Sequence, residues 1–200
     1  MSGELKRRPV LVDVHRLYQA TFERARPDYA LEKEYADLLA AEPDNSDLVY
    51  LLARITQDDA RSEELLQKAI AGPKPSAHAN SALAFDRLSK AQFEEALPFI
   101  QEAVRLAPGN PSIVQNQLDV QWARRDYDAL LNGIKRDKDG VPESFLDSLM
   151  EIRLLALKGT PDAQVQQQIG KVIQSARKNG VEKEVADTIK KELDAAFAYG

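Results

Sequence analysis

His15 and His78 are the only imidazoles in a chain that has no cysteine, so metal and nucleophile chemistry have few places to start. A zinc site needs His, Cys or carboxylate ligands at short, defined spacings. Neither histidine has a second ligand at such a spacing, and the surrounding patterns put the two on different helical hairpins, which predicts packing or surface roles. The lack of cysteine removes disulfides, thiolate catalysis and Cys-ligated zinc together. Ser76, His78 and Asp86 have the residue types of a hydrolytic triad, but nothing near them reads as a strained nucleophile turn or an oxyanion site. Asp137-Lys138-Asp139-Gly140 opens like a calcium loop, yet Leu146 falls near the place of the closing glutamate, so the segment reads as a turn. Glu63-Glu64 and Glu94-Glu95 are adjacent pairs at different helical azimuths, which describes solvated faces rather than an acid and base acting on one substrate. With no phosphate-binding glycine loop either, the expectation is a chain without catalysis, cofactor or metal.

Composition narrows the class further. Hydrophobic residues make up 44% and charged residues 30% of 200 residues, with a net charge of -5. That is too apolar for a disordered chain and too charged for a membrane protein. The densest apolar run, Leu48 to Ala53, is stopped by Arg54 far short of a bilayer span. The opening MSGELKRRP has no apolar centre, so no secretory signal is expected; the cytoplasm is the default location, the alternative being a soluble domain cut from a larger protein, for which this clue is lost. Lys6-Arg7-Arg8, Arg124-Arg125 and the group Lys135, Arg136 and Lys138 are small basic clusters in an acidic chain. No aromatic-rich basic stripe joins them, so nucleic acid is not expected as a partner.

Hydrophobic periodicity of about 3.6 runs through most of the sequence and predicts an all-α fold. After a flexible segment 1–8, Pro9 leads into a helix with Val10, Val14, Leu17, Tyr18 and Phe22 on one face, and Pro27 opens its partner, with Leu31, Tyr35, Leu38 and Leu39. Ser46 is the expected N-cap of a helix from Asp47 to about Thr56, and Asp58 or Asp59 that of the next. The stretch Ala77 to Pro108 folds as two helices joined by Lys90-Ala91-Gln92, with Pro98 implying either a kink or a late start in the second. Asn110-Pro111-Ser112 starts another helix, Tyr127 enters its partner, and Asp137 to Pro142 is a turn and a candidate hinge. Helices over Glu143 to Lys158 and from Pro161 to a stop at Asn179-Gly180, with Ala176 on the inner face, make the fifth hairpin. A last helix with Val185, Ile189, Leu193 and Phe197 inside caps the end.

A repeat underlies these hairpins. Leu65 and Phe99, Leu66 and Ile100, Ala69 and Ala103, and Phe93 and Tyr127 are each 34 positions apart, whereas Ala96 and Ala129 are 33 apart, which predicts a one-residue slip. The unit Ala77 to Pro108 resembles a tetratricopeptide repeat through Phe93, Ala96, Ala103 and Pro108, while Asn80, Ala84 and Arg87 depart from that family's Trp, Gly and Tyr. The middle three hairpins carry the resemblance and the outer two follow from periodicity. It implies a right-handed α-α superhelix of about five hairpins plus a capping helix. It also implies a scaffold that holds a partner's peptide or helix in a concave groove lined by the first helices. Counted in that frame, the groove residues are Leu51, Arg54 and Ile55, then Ser81, Phe85 and Leu88, then Gln115, Asn116, Asp119 and Trp122. Phe85 is the sharpest of these, because Leu83, Ala84 and Leu88 already supply a core face. Asn116 stands where binders of acidic chaperone tails use an asparagine, but Ser81 and Phe85 replace the rest of that clamp. The alternative is a structural element that assembles with copies of itself into an oligomer.

Overall fold

Apolar residues at helical spacing, punctuated by Asn, Asp and Ser caps, give a chain of helices in a computed structural model. The model describes residues 5, 8–26, 29–138, 140, 142–178, 180 and 182–199, without the side chains of 176–178, 182 and 194–199. Lys6, Arg7, Pro27, Asp139, Val141 and Asn179 therefore lie outside the described residues, as do the side chains of Ala176 and Phe197. Among the described residues there are eleven helices: α1 (Val12–Ala25), α2 (Leu31–Ala41), α3 (Ser46–Ala53), α4 (Asp59–Ala71), α5 (Ala77–Ser89), α6 (Phe93–Leu106), α7 (Pro111–Ala123), α8 (Tyr127–Gly133), α9 (Phe145–Leu157), α10 (Asp162–Lys178) and α11 (Glu182–Tyr199). None is long and apolar enough to cross a membrane.

The chain divides into two compact units, Met1–Ala123 and Arg124–Gly200. The division falls between α7 and α8, not at the candidate hinge. Asp137 to Pro142 lies inside the second unit, where Arg136 and Pro142 form an isolated antiparallel bridge.

In the first unit α1, α3, α5 and α7 touch in succession, and α2, α4 and α6 each pack against the two odd-numbered helices that flank them in sequence. Two apolar clusters result. One gathers Val12, Leu31, Tyr35, Leu48, Leu51, Leu66, Ala69 and Leu83, and the other Ala84, Ala96, Ile100, Ala103, Ile113 and Val120. A buried polar chain threads the first: His15 Nδ1 lies 2.9 Å from Tyr35 Oη, and Gln19 Nε2 donates to the Leu51 carbonyl at 2.7 Å. The N-terminal segment is anchored where it is described, since Leu5 is buried and the Arg8 guanidinium pairs with Glu42. In the second unit α9 packs on α8, α10 and α11, with Leu149, Ile152, Val165, Val172, Val185 and Ile189 between them.

The helix bounds repeat. Helices α5, α7 and α9 are each 13 residues long and begin at 77, 111 and 145, while α4, α6 and α8 begin at 59, 93 and 127. Both series have a 34-residue step. The same step separates the caps Ser76 and Ser144 from Asn110, whose Oδ1 accepts from the Ile113 N–H at 3.3 Å. It also separates three turn residues with positive φ: Ala91 at 57°, Arg125 at 54° and Gly159 at 73°. At Ala91 and Gly159 the left-handed residue closes the same helix end, with Gln92 N–H donating to Arg87 O at 2.8 Å and Thr160 N–H to Leu155 O at 3.0 Å.

Local expectations needed correction at several points. Asn45, not Ser46, caps α3, accepting from the Leu48 N–H at 3.3 Å. The predicted slip at Ala129 does not occur, because the buried residue is Leu130, 34 after Ala96. Helix α6 begins at Phe93, so Pro98 is interior rather than ahead of the start. Pro98 itself is exposed, so its ring stands on the outer face of the helix, away from the buried Ala96 and Ile100.

Candidate functional site

A cavity of about 280 Å³ lies on the row of odd-numbered helices of the first unit, lined by Arg16 of α1, Tyr50 of α3, His78, Ser81, Ala82 and Phe85 of α5, and Ser112 and Asn116 of α7. Its shape follows from the repeat. The caps Asn45, Ser76 and Asn110 start α3, α5 and α7, and the lining residues sit at matching distances from them. Tyr50 and Ser81 are both five residues past their caps, Ala82 and Asn116 both six, and His78 and Ser112 both two. Three and four residues bring a helix back to nearly the same face. Phe85, nine past its cap, therefore extends the line set by His78, Ser81 and Ala82.

The polar groups fall into separate pairs within the cavity. Arg16 Nη1 donates to Ser112 Oγ at 3.1 Å and to Asp13 Oδ1 at 3.2 Å. Asn116 Nδ2 donates to Ser81 Oγ at 2.8 Å. The His78 ring lies 5.6 Å from that of Tyr50, and its buried Nε2 is 3.7 Å from Asp13 Oδ1, beyond hydrogen-bond reach. Burial pushes the His78 pKa below the usual histidine value, against the pull of Asp13 and Asp47, and burial likewise pushes the Tyr50 phenol up. At neutral pH the cavity therefore carries a neutral imidazole, a neutral phenol and one guanidinium. Phe85 is 56% exposed, a large apolar side chain at the edge of this polar set.

Ser81, Phe85 and Asn116 are the expected groove residues that come together here. The others are placed elsewhere. Leu51 has no exposed surface and belongs to the first apolar cluster, so it cannot meet a ligand in this structure. The reason is geometric. The α3 cap precedes the α5 cap by 31 residues, not 34, and three residues fall about 60° short of a full helical turn. A strict 34-residue frame thus selects the wrong face of α3 and passes over Tyr50. Arg54 is exposed and donates to Gln19 Oε1 at 2.9 Å. Leu88 is half-buried against the second cluster, and Trp122 is half-buried on α7. Gln115 Nε2 donates to Asp119 Oδ1 at 2.9 Å, an i to i+4 pair along α7.

Ile55 lines a different and larger cavity, about 730 Å³, with Phe22, Tyr29, Arg26 and Arg61 among others. That lining carries Glu23, Glu32 and Asp58 against Arg26, Lys33 and Arg61, so it has no preferred sign and holds none of the other expected residues. The smaller cavity is the better site, because its polar groups converge from four helices.

Arg16, Tyr50, His78 and Ser112 were not singled out from sequence as groove residues. Counting from each helix's own cap would have found Tyr50, His78 and Ser112. Arg16 carries no such signal, since α1 has no side-chain cap from which to count. The Ser76, His78 and Asp86 grouping is not assembled: Ser76 Oγ donates to Asp47 Oδ1 at 2.7 Å and Asp86 is bonded to Arg87 and Lys90. His15 is a core residue, 1% exposed. No group of three or more metal-ligating side chains occurs among the described residues. No protein-family model, curated protein or solved structure matches the chain.

Proposed function

We propose that the chain is a helical repeat scaffold of the tetratricopeptide type, its hairpins wound into a right-handed superhelix, that binds a peptide or helix of a partner protein and catalyses nothing itself. The observation that carries this reading is the cavity on α1, α3, α5 and α7, with Phe85 exposed at its edge. An aromatic side chain left in water beside convergent polar groups is what a recognition surface offers a partner. The 34-residue step in helix starts, caps and left-handed turn residues supports the repeat type. Packed helices hold such a groove preformed, so ordering costs fall mainly on the ligand. The test is affinity capture on the wild-type chain beside Phe85→Ala, with captured partners cross-linked and the cross-links mapped. Partners that cross-link to α5 and α7 and are lost with Phe85→Ala support the groove; partners retained by the variant, or cross-linked elsewhere, refute it.

A second reading, self-assembly, rests on a separate feature. Leu17 of α1 is 69% exposed, and Leu11 and Val14 beside it are also exposed. Such a stripe suits contact with another copy. Sedimentation across a hundredfold concentration range would show a rising mass that Leu17→Glu abolishes; a constant monomer mass removes this reading.

A further inference from the structure

The sign of the cavity is opposite to that of the unit that contains it. Residues 1–123 hold 14 Lys and Arg against 19 Asp and Glu, which places the whole net charge of -5 on the first unit, while residues 124–200 hold 13 of each. Yet the eight lining residues include no carboxylate. They offer the Arg16 guanidinium, the His78 imidazole, the hydroxyls of Tyr50, Ser81 and Ser112, and the Asn116 carboxamide. All but the guanidinium can donate or accept, and the guanidinium can only donate. Arg16 has Asp13 as a partner, but that carboxylate does not line the cavity and its side chain is 64% exposed. An exposed ion pair of this kind is weak and readily exchanged for a better-placed anion.

Resting on the groove reading above, we propose that the cavity binds an acidic side chain, Asp or Glu, of an extended partner peptide, with an adjacent apolar or aromatic residue of that peptide resting on Phe85. The carboxylate meets the Arg16 guanidinium in a charge-assisted pair, and the Asn116 carboxamide, which spends one N–H on Ser81, has a second to donate within the same cavity; the Ser112 hydroxyl is already donated to Asn110 Oδ1 at 2.9 Å. The net negative charge of the surrounding unit opposes further acidic residues on the same peptide, so the charge pattern gives selectivity for a single acidic residue over an acidic run.

The experiment pans a random dodecamer display library on the full chain, on Arg16→Gln and on Phe85→Ala. The most frequent wild-type peptide is then synthesised and its Kd measured. The expected wild-type pool is enriched in one Asp or Glu next to an aromatic or aliphatic residue. Replacing that acid with its amide, or Arg16 with Gln, weakens binding about tenfold, the size of one charge-assisted hydrogen bond. Asp13→Asn, which removes the competing carboxylate, tightens the same peptide, so a test of opposite sign remains if Arg16→Gln fails to fold. A pool that depends on Phe85 but shows no acidic enrichment, or an amide peptide that binds equally well, overturns the anion assignment and leaves the groove intact. A pool indifferent to both Arg16 and Phe85 removes the groove reading as well.

Discussion

Ala91 sits in the left-handed region at φ 57°, in the turn where Gly159 holds the equivalent position two steps later. For an L-residue with a Cβ that conformation costs roughly 1–2 kcal/mol. Glycine removes the cost but adds about 0.4–1 kcal/mol of unfolded-state entropy. Ala91→Gly should therefore stabilise the first unit by about 0.5–1 kcal/mol. Ala91 is exposed and its substitution leaves both turn hydrogen bonds, Ala91 N–H to Leu88 O and Gln92 N–H to Arg87 O, in place. The single tryptophan, Trp122, lies on α7 of the same unit, so its fluorescence during urea unfolding reports on that unit. With a urea slope of about 1.5 kcal/mol/M, the midpoint should rise by about 0.3–0.7 M. Ala91→Val, which forces a β-branched side chain into the same conformation, should lower it. A midpoint that is unchanged or lower in Ala91→Gly would refute the assignment of backbone strain to this turn.

Three further outcomes follow from the packing. Asp58 and Asp126 cap α4 and α8, while Gln92 at the equivalent position of α6 makes no cap and keeps a buried Oε1 without a partner; Gln92→Asp should add about 1 kcal/mol, read from the same urea midpoint. A Cβ on Gly72 would press on Ser46 Oγ, so Gly72→Ala should cost about 1 kcal/mol, and the double variant with Ser46→Ala should recover most of it. Burial, with Arg8 nearby, holds His15 below its usual pKa against Glu34, and burial does the same to His78. The unfolded chain then binds more protons than the folded one as pH falls through about 6.5, so stability should be full above that value and decline below it, and urea midpoints at pH 7.5 and 5.5 should differ less in a His15→Gln variant.

Helix number and order were legible in the sequence because apolar residues recur at helical spacing, but the inner face of α1 was misread: Val14 and Leu17 of the expected face are exposed, and Val12, His15 and Gln19 are buried instead. The α4 cap was legible to within one residue, since Asp58 of the pair Asp58 and Asp59 accepts from the Arg61 N–H, whereas the α3 cap was misread because Asn45 and Ser46 both qualify. The slip expected at Ala129 arose from matching alanine to alanine, whereas the packing position accepts Leu130. The exposure of Phe85 was legible because the core face of α5 was already filled without it. Tyr50 was hidden by a count taken from the wrong origin, and His78 by its isolation in sequence from Arg16 and Ser112, which only the packing of α1, α5 and α7 brings to one cavity.

The two series of helices answer to different constraints. Helices α4, α6 and α8 begin at strict intervals, and their buried positions Leu66 and Ile100, Ala69 and Ala103, and Ala96 and Leu130 recur with them. The first helices allow more: α3 is five residues shorter than α5 and its cap is three residues out of step, while the odd-numbered row still closes around one cavity. A change of register that would expose a hydrophobic face in a second helix instead rotates which residue of a first helix reaches the cavity. That is how Tyr50 comes to stand beside Ser81 and His78 with Leu51 in the core. Variation at the cavity-facing positions of the first helices can therefore alter the lining while Leu51, Leu83 and Ile113 of the same helices keep their places in the apolar clusters. Nine residues past their caps the row carries Arg54, Phe85 and Asp119, three different chemistries at one position, and of these Phe85 lines the cavity.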